Sequence, residues 1–285
     1  MHTTLISAEA LLSLQRENAR LMIFDCSFDL MKPEAGQQQY LDSHIAGAVH
    51  AHLDTALSAK NDAAAASGGR HPLPSREKFA AWLGSVGFNH TMQAVVYDRQ
   101  GANYCGRLWW MLKWAGHNAV AVLDGGLQAW MAAGGAVATG PEKPVSESNY
   151  ALARALLTLI ATKRIASQIG HVNQTLLDAR GAPRFRGEVE PLDPIAGHIP
   201  GALNRPFTSN IAAGGKFKPA ALLRAEFDAL LAGRDPSSVV HHCGSGVSAV
   251  PNIIAMEIAG LGPTALYAGG WSEWSNTPGL PVAQG

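Results

Sequence analysis

The sequence predicts an α/β protein built as two copies of one unit, each a parallel sheet flanked by helices. Three observations predict it: one ordered set of segments occurs twice, the strand-like runs are continuously apolar, and helical patterns separate them. At 285 residues the chain has room for two medium domains.

The first copy reads "LMIFDCS" (21–27), "DSHIAGAVHAHLD" (42–54), "AVVYDRQG" (94–101) and "AVAVLDGGLQAW" (119–130). The second reads "QTLLDAR" (174–180), "AGHIPGALNRPF" (196–207), "SSVVHHCGSG" (237–246) and "TALYAGGWSEW" (264–274), in the same order. Asp25 thus matches Asp178, His44 matches His198, Asp98 matches Cys243 and Gly125 matches Gly269. Apolar runs without period-two alternation suit strands buried on both faces, and so a parallel sheet covered by helices. The helical patterns include "SREKFAAWLGSVG" (75–87) and "AALLRAEFDALLAG" (220–233).

Spacing between matched residues is slightly longer in the first copy, and the Ala- and Gly-rich "SAKNDAAAASGGRHPLP" (58–74) is the expected insertion. "ATGPEKPVSESN" (138–149) mixes Pro, Gly, Ser and charge without periodicity and reads as a linker. The expected organisation is a non-catalytic copy over 1–138, a linker over 139–149 and a catalytic copy over 150–285.

The chain is 47% hydrophobic and 15% charged with zero formal net charge. That composition excludes a disordered tail and gives no electrostatic pull toward nucleic acid or an anionic membrane. Three cysteines, odd in number and widely spaced, argue against a disulfide framework. No basic-then-apolar leader or membrane-length apolar run is visible, so reduced thiols in a soluble, cytoplasmic protein are expected.

Chemistry concentrates at "VVHHCGSGVSAVPN" (239–252). Cys243 ends an apolar run where the sister copy carries Asp98, so a thiol is not needed to build the unit. Ligands of open α/β sheets bind outside the carboxyl ends of the strands. A helix is expected over 248–260, with Pro251 tolerable in its first turn. Between strand and helix, Gly244, Ser245, Gly246, Val247 and Ser248 can turn successive amides inward as an anion nest. A helix end supplies about 0.3–1 kcal/mol to an exposed anion and up to about 2 when partly buried. Each hydrogen bond to a charged group is worth about 1.5–3 kcal/mol. Loop amides therefore matter more than the helix.

Competing readings fail at particular residues. A phosphatase loop needs an arginine six residues after the cysteine, where Ala249 stands. Zinc binding by His241, His242 and Cys243 is disfavoured because adjacent strand residues face opposite ways. A papain-like protease lacks its local signature. No cofactor and no metal are expected.

These residues resemble the tandem-domain rhodanese family, most closely its 3-mercaptopyruvate sulfurtransferase branch. The resemblance rests on His-Ile-x-Gly-Ala in both copies (44–48, 198–202), Gly-Gly-x-x-x-Trp in both (125–130, 269–274) and the loop Cys243-Gly244-Ser245-Gly246-Val247. It implies transfer of a sulfane sulfur from 3-mercaptopyruvate, through a Cys243 persulfide, to a thiol or cyanide acceptor. The alternatives it leaves are a thiosulfate:cyanide sulfurtransferase, or a persulfide carrier serving a protein thiol. Thiosulfate-preferring members usually place basic residues directly after the cysteine, and this chain has Gly244 and Ser245.

The resemblance further implies a relay of Ser245, His71 and Asp54, with the first copy contributing to the site. It implies a substrate-binding arginine at Arg184, beside the loop residues Gly244, Gly246, Val247 and Ser248. A second family arginine falls in a Glu-Pro-Arg context where this chain reads Glu190-Pro191-Leu192, and Arg186 is near enough in sequence to compensate. Asp178, Arg180 and His198 are expected to brace loops, Trp109, Trp110, Trp271 and Trp274 to pack, and Cys26 and Cys105 to be structural.

Overall fold

The computed structural model describes residues 1–17, 19–143 and 145–285. It divides into two compact units, 1–64 with 74–156 and 213–216, and 65–73 with 157–212 and 217–285. Segment 65–73, inside the insertion expected of the first copy, belongs by contact to the second unit. Residues 150–156 cluster with the first, where the Tyr150 ring stacks on His90 at 4.3 Å between centroids. Pro144, within the predicted linker, lies outside the described residues.

In unit 1 the strands are β1 (Leu5–Ile6), β2 (Leu21–Asp25), β3 (His44–Ile45), β4 (Val49–His50), β5 (Gln93–Tyr97), β6 (Val120–Leu123) and β7 (Val137–Ala138). The helices are α1 (Ala8–Arg16), α2 (Pro33–Asp42), α3 (Arg76–Ser85), α4 (Cys105–Trp114) and α5 (Gly126–Ala132). Unit 2 has β8 (Thr158–Leu159), β9 (Thr175–Asp178), β10 (Leu203–Asn204), β11 (Val239–His242) and β12 (Ala265–Leu266). Its helices are α6 (Thr162–Ser167), α7 (Ala182–Arg186), α8 (Ala220–Leu231), α9 (Val250–Ile258) and α10 (Gly270–Trp274).

Among the described residues, each unit holds a five-stranded parallel sheet, ordered β1-β6-β5-β2-β4 in one and β8-β12-β11-β9-β10 in the other. The two orders correspond strand for strand, as the repeat predicts. β3 and β7 form a separate antiparallel pair. The central strands β5 and β11 are buried along nearly their whole length, which is why they read as continuous apolar runs. Trp109, Trp110, Trp271 and Trp274 are all buried. Ser75 caps α3 by accepting from the Lys78 amide, so that helix starts where the sequence places it. No helix among the described residues is long and apolar enough to cross a membrane.

α9 begins at Val250, two residues later than the sequence suggests. Residues 244–249 stay outside the helix as the loop.

Candidate active site

β11 delivers Cys243 from the middle of its sheet to the carboxyl edge, where the chain turns through 244–249 into α9. Two contacts with α10 hold the turn: the Cys243 carbonyl accepts from Trp271 N at 2.8 Å and the Gly244 carbonyl from Ser272 N at 2.8 Å. Gly270 permits this approach, since a β-carbon there would stand 2.6 Å from the Cys243 carbonyl oxygen. Gly246 has φ +70°, and its missing β-carbon would lie 2.2 Å from the Ala268 carbonyl oxygen. The Gly-Gly-x-x-x-Trp segment, which in sequence marks only the fold, is therefore part of the scaffold of the loop.

Among the described residues, the N–H groups of Gly244, Ser245, Val247 and Ser248 find no acceptor in the chain. Unit 1 shows what such a loop holds. There the Asp98 carboxylate accepts from the amides of Gln100 (2.9 Å), Ala102 (3.1 Å), Tyr104 (2.8 Å) and Cys105 (3.0 Å). The first copy fills its own anion cradle with a side chain, whereas Cys243 is too short and carries no oxygens to do so.

Cys243 is 3% exposed. Ser245 donates or accepts a hydrogen bond at 2.8 Å with His71 Nδ1, and both are buried, so that pair is assembled within unit 2. Asp54 lies in unit 1, where it pairs with Lys60 at 2.7 Å. Arg184 places Nη1 3.7 Å from the position a Gly244 β-carbon would take and bonds Glu190 at 2.6 Å and Asp193 at 3.2 Å. Gly246, Val247 and Ser248 complete the loop, with Val247 buried.

Arg186 does not take the missing arginine's place: it is exposed and its guanidinium is held by Glu188 at 2.6 Å. Sequence reasoning missed Arg70, whose Nη2 stands 3.1 Å from the Gly244 β-carbon position. Its neighbour His71 was the available signal.

The surroundings are braced by charge. Asp178 and Arg180 pair at 2.7 Å at the end of β9, and Arg180 reaches Glu190 and the Gly197 carbonyl. His198 Nδ1 meets the Phe185 carbonyl at 2.8 Å, anchoring α7. Burial pushes His241 down to about 3. It also pushes His242 down, against the pull of Asp178 3.9 Å away. Both are buried strand residues, and among the described residues no cluster of three or more His, Cys, Asp or Glu could hold a metal. Burial, with the Asp25 and Asp98 carboxylates, pushes the Cys26 thiol far up. Burial and Asp98 do the same to Cys105. Neither sits in an open cradle.

A cavity of about 510 Å³ in unit 2 is lined by Gly69, Arg70, Leu192, Asp193 and Ser272 among others. Another of about 660 Å³ opens near Gln174, Thr175, Arg234 and Ser238 at the opposite ends of the strands, away from this chemistry.

The rhodanese-like domain model matches residues 7–133 and 161–277. A Pseudomonas aeruginosa protein, provisionally named a 3-mercaptopyruvate sulfurtransferase, is 42% identical over 98% of this chain and 100% of its own. SseB of Mycobacterium tuberculosis, provisionally named a thiosulfate sulfurtransferase, is 40% identical over 99% of this chain and 97% of its own. The crystal structure of SseA from Escherichia coli, named for 3-mercaptopyruvate, superposes with a TM-score of 0.79 at 29% identity, covering 95% of this chain and all of that one. Two units of identical strand order, a glycine loop around one cysteine in the second, and these relatives make the chain a member of the rhodanese family and a sulfurtransferase.

Proposed function

We propose that this protein moves the sulfur of 3-mercaptopyruvate, through a persulfide on Cys243, to a thiol or cyanide acceptor. The observation that carries the reading is the open amide cradle beside Cys243, set against the same cradle filled by Asp98 in the first unit.

The Cys243 thiolate attacks the donor sulfur, and the carbon–sulfur bond breaks with its electron pair left on carbon. The proton of the donor thiol ends on that carbon, giving pyruvate and a persulfide. Ser245 and His71, bonded at 2.8 Å, are the groups proposed to carry it. The outer sulfur, as an anion, is held by the amides of the loop. An acceptor nucleophile then takes it, the sulfur–sulfur bond breaks, and the cysteine thiolate returns. The family resemblance adds Asp54 to the relay, which Asp54→Asn tests through turnover.

Gly244 and Ser245 give the loop no side-chain charge, which suits a donor whose single negative charge is a remote carboxylate. A second reading, thiosulfate as donor, is favoured by the name of the mycobacterial relative. A protein thiol as acceptor is the remaining possibility for the second half-reaction. The free thiols Cys26, Cys105 and Cys243 suit a cytoplasmic setting.

Mass spectrometry after exposure to 3-mercaptopyruvate alone is expected to show one added sulfur on Cys243. Steady-state assays with both donors should show ping-pong kinetics and a higher kcat/KM for mercaptopyruvate. Absence of Cys243-dependent transfer from either donor would overturn the proposal.

A further inference from the structure

We propose that Glu273 selects the sulfur acceptor, by receiving the ammonium of a small amino thiol in the cavity beside the cysteine loop. The inference deepens the proposed function and rests on its second half-reaction, the passage of sulfur from Cys243 to a thiol.

The cavity of about 510 Å³ in unit 2 has three charged side chains on its wall, Arg70, Asp193 and Glu273. Two of them are matched: Arg70 bonds Asp193 at 2.7 Å, and Asp193 also meets Arg184 at 3.2 Å. Arg184 is further balanced by Glu190 at 2.6 Å. The Glu273 carboxylate has no hydrogen-bond or ion-pair partner among the described residues. One negative charge is thus left over at this wall, with both of its oxygens able to accept.

The chain reserves a fixed place for that carboxylate. A β-carbon at Gly269 would stand 1.6 Å from Glu273 Oε2, and one at Gly68 would stand 2.8 Å from its Cδ. The side chain therefore lies over bare backbone from two segments, half-buried, where a larger residue at either glycine would displace it. Its own backbone is tied down on both sides, with the amide donating to the Gly269 carbonyl at 3.2 Å and the carbonyl accepting from Thr277 Oγ1 at 2.8 Å.

The same helix positions the sulfur. Trp271 and Ser272, directly before Glu273, donate to the Cys243 and Gly244 carbonyls. The cavity also reaches that turn, since Arg70 on its wall stands 3.1 Å from the Gly244 β-carbon position. An acceptor seated here would place its ammonium on Glu273 and its thiol toward the persulfide. The acceptor sulfur bonds the outer sulfur, and the bond to Cys243 breaks with its electron pair left on Cys243. The acceptor's thiol proton ends on the new persulfide. The ammonium takes no part in these bond changes, so Glu273 acts on specificity.

The test loads the full chain with sulfur from 3-mercaptopyruvate and offers cysteamine, 2-mercaptoethanol and 3-mercaptopropionate. These share a two-carbon spacer and end in an ammonium, a hydroxyl and a carboxylate. Their thiols differ in reactivity, so the reading is how the kcat/KM ratios change between wild type and Glu273→Gln. The cysteamine-to-mercaptoethanol ratio is expected to fall about 5- to 20-fold, between the worth of an exposed ion pair and that of a charged hydrogen bond. Glu273→Asp should keep part of the preference, and Glu273→Lys should shift it toward mercaptopropionate. A ratio that changes less than twofold in Glu273→Gln would overturn the proposal. Equal losses for all three thiols in the Gln and Lys variants would also overturn it, as the mark of a purely structural residue. Transfer from loaded wild-type protein to cyanide but to none of the thiols would overturn it while leaving the sulfur-transfer reading intact. If Cys243 gains no sulfur from mercaptopyruvate, the donor assignment falls, and the same ratios read after loading with thiosulfate decide on Glu273.

Discussion

Ser245 carries two demands at once, since it sits in the amide loop and its hydroxyl meets His71 at 2.8 Å. Ser245→Lys would place an ammonium in the loop and break that pair. Mercaptopyruvate turnover should fall more than thiosulfate turnover, which side-by-side kcat/KM values for the two donors will check. His71→Ala should lower mercaptopyruvate kcat by about 100-fold, the lower range for loss of a positioned proton carrier. Cys243 was singled out from the sequence by its glycine loop, and Ser245, His71 and Arg184 were named only through the family resemblance; the hydrogen bond of Ser245 with His71 and the approach of Arg184 to Gly244 put them beside that loop. Arg70 was missed, because what fixes it is a bond to Asp193 far along the chain and a missing side chain at Gly244. Arg186 was a wrong substitute for the same reason: nearness in sequence to Leu192 counted for less than Glu188, which holds its guanidinium in solvent.

At the level of the element, the two cradles make opposite predictions. Asp98→Ala would strip four amides of their acceptor inside unit 1, at about 1–3 kcal/mol for a buried group left unsatisfied. Chemical denaturation should report a loss of about 3 kcal/mol, and Asp98→Asn a smaller one, because its single oxygen can still accept. In unit 2 the amides of Gly244, Ser245, Val247 and Ser248 already lack an acceptor among the described residues, and the fragile point is the turn itself. Gly246→Ala must move the Ala268 carbonyl, 2.2 Å from the new carbon, and should abolish persulfide formation detected by mass spectrometry. Strands were legible because burial on both faces writes an unbroken apolar run. The start of α9 was not, because Ser248 and Ala249 suit a helix equally well and only the loop's backbone geometry keeps them out of it.

At the scale of the whole molecule, buried neutral histidines set the acid limit. Burial pushes His241 down to about 3 and His117 down to about 4, with His242 and His50 also lowered. An unfolded histidine takes up a proton near 6.5 whereas His241 and His117 resist it until far lower pH while folded, so the unfolded state binds more protons below 6.5. The stability contribution of these two is complete above about pH 6.5 and is lost as pH falls toward their folded values, at up to about 1.4 kcal/mol per pH unit each, with His242 and His50 acting in the same direction. Thermal unfolding between pH 7 and 5 should show this slope, and His241→Leu should flatten it by one histidine's share. The duplicated strand order was legible because both copies keep the same segments in the same sequence. The membership of 65–73 in unit 2 was not, since contacts such as His71 with Ser245 leave no local pattern.

On the proposed persulfide route, the filled cradle of Asp98 and the open one of Cys243 would also make the sulfur load a thermodynamic variable. A persulfide anion that satisfied the amides of Gly244, Ser245, Val247 and Ser248 would act on unit 2 as a tightly held ligand acts on its receptor, raising the free energy of unfolding. Unit 1, with Asp98 permanently seated, has nothing comparable to gain. Sulfur-charged and discharged protein should differ in melting temperature through the second unit alone, so that a melting curve can count sulfur in transit.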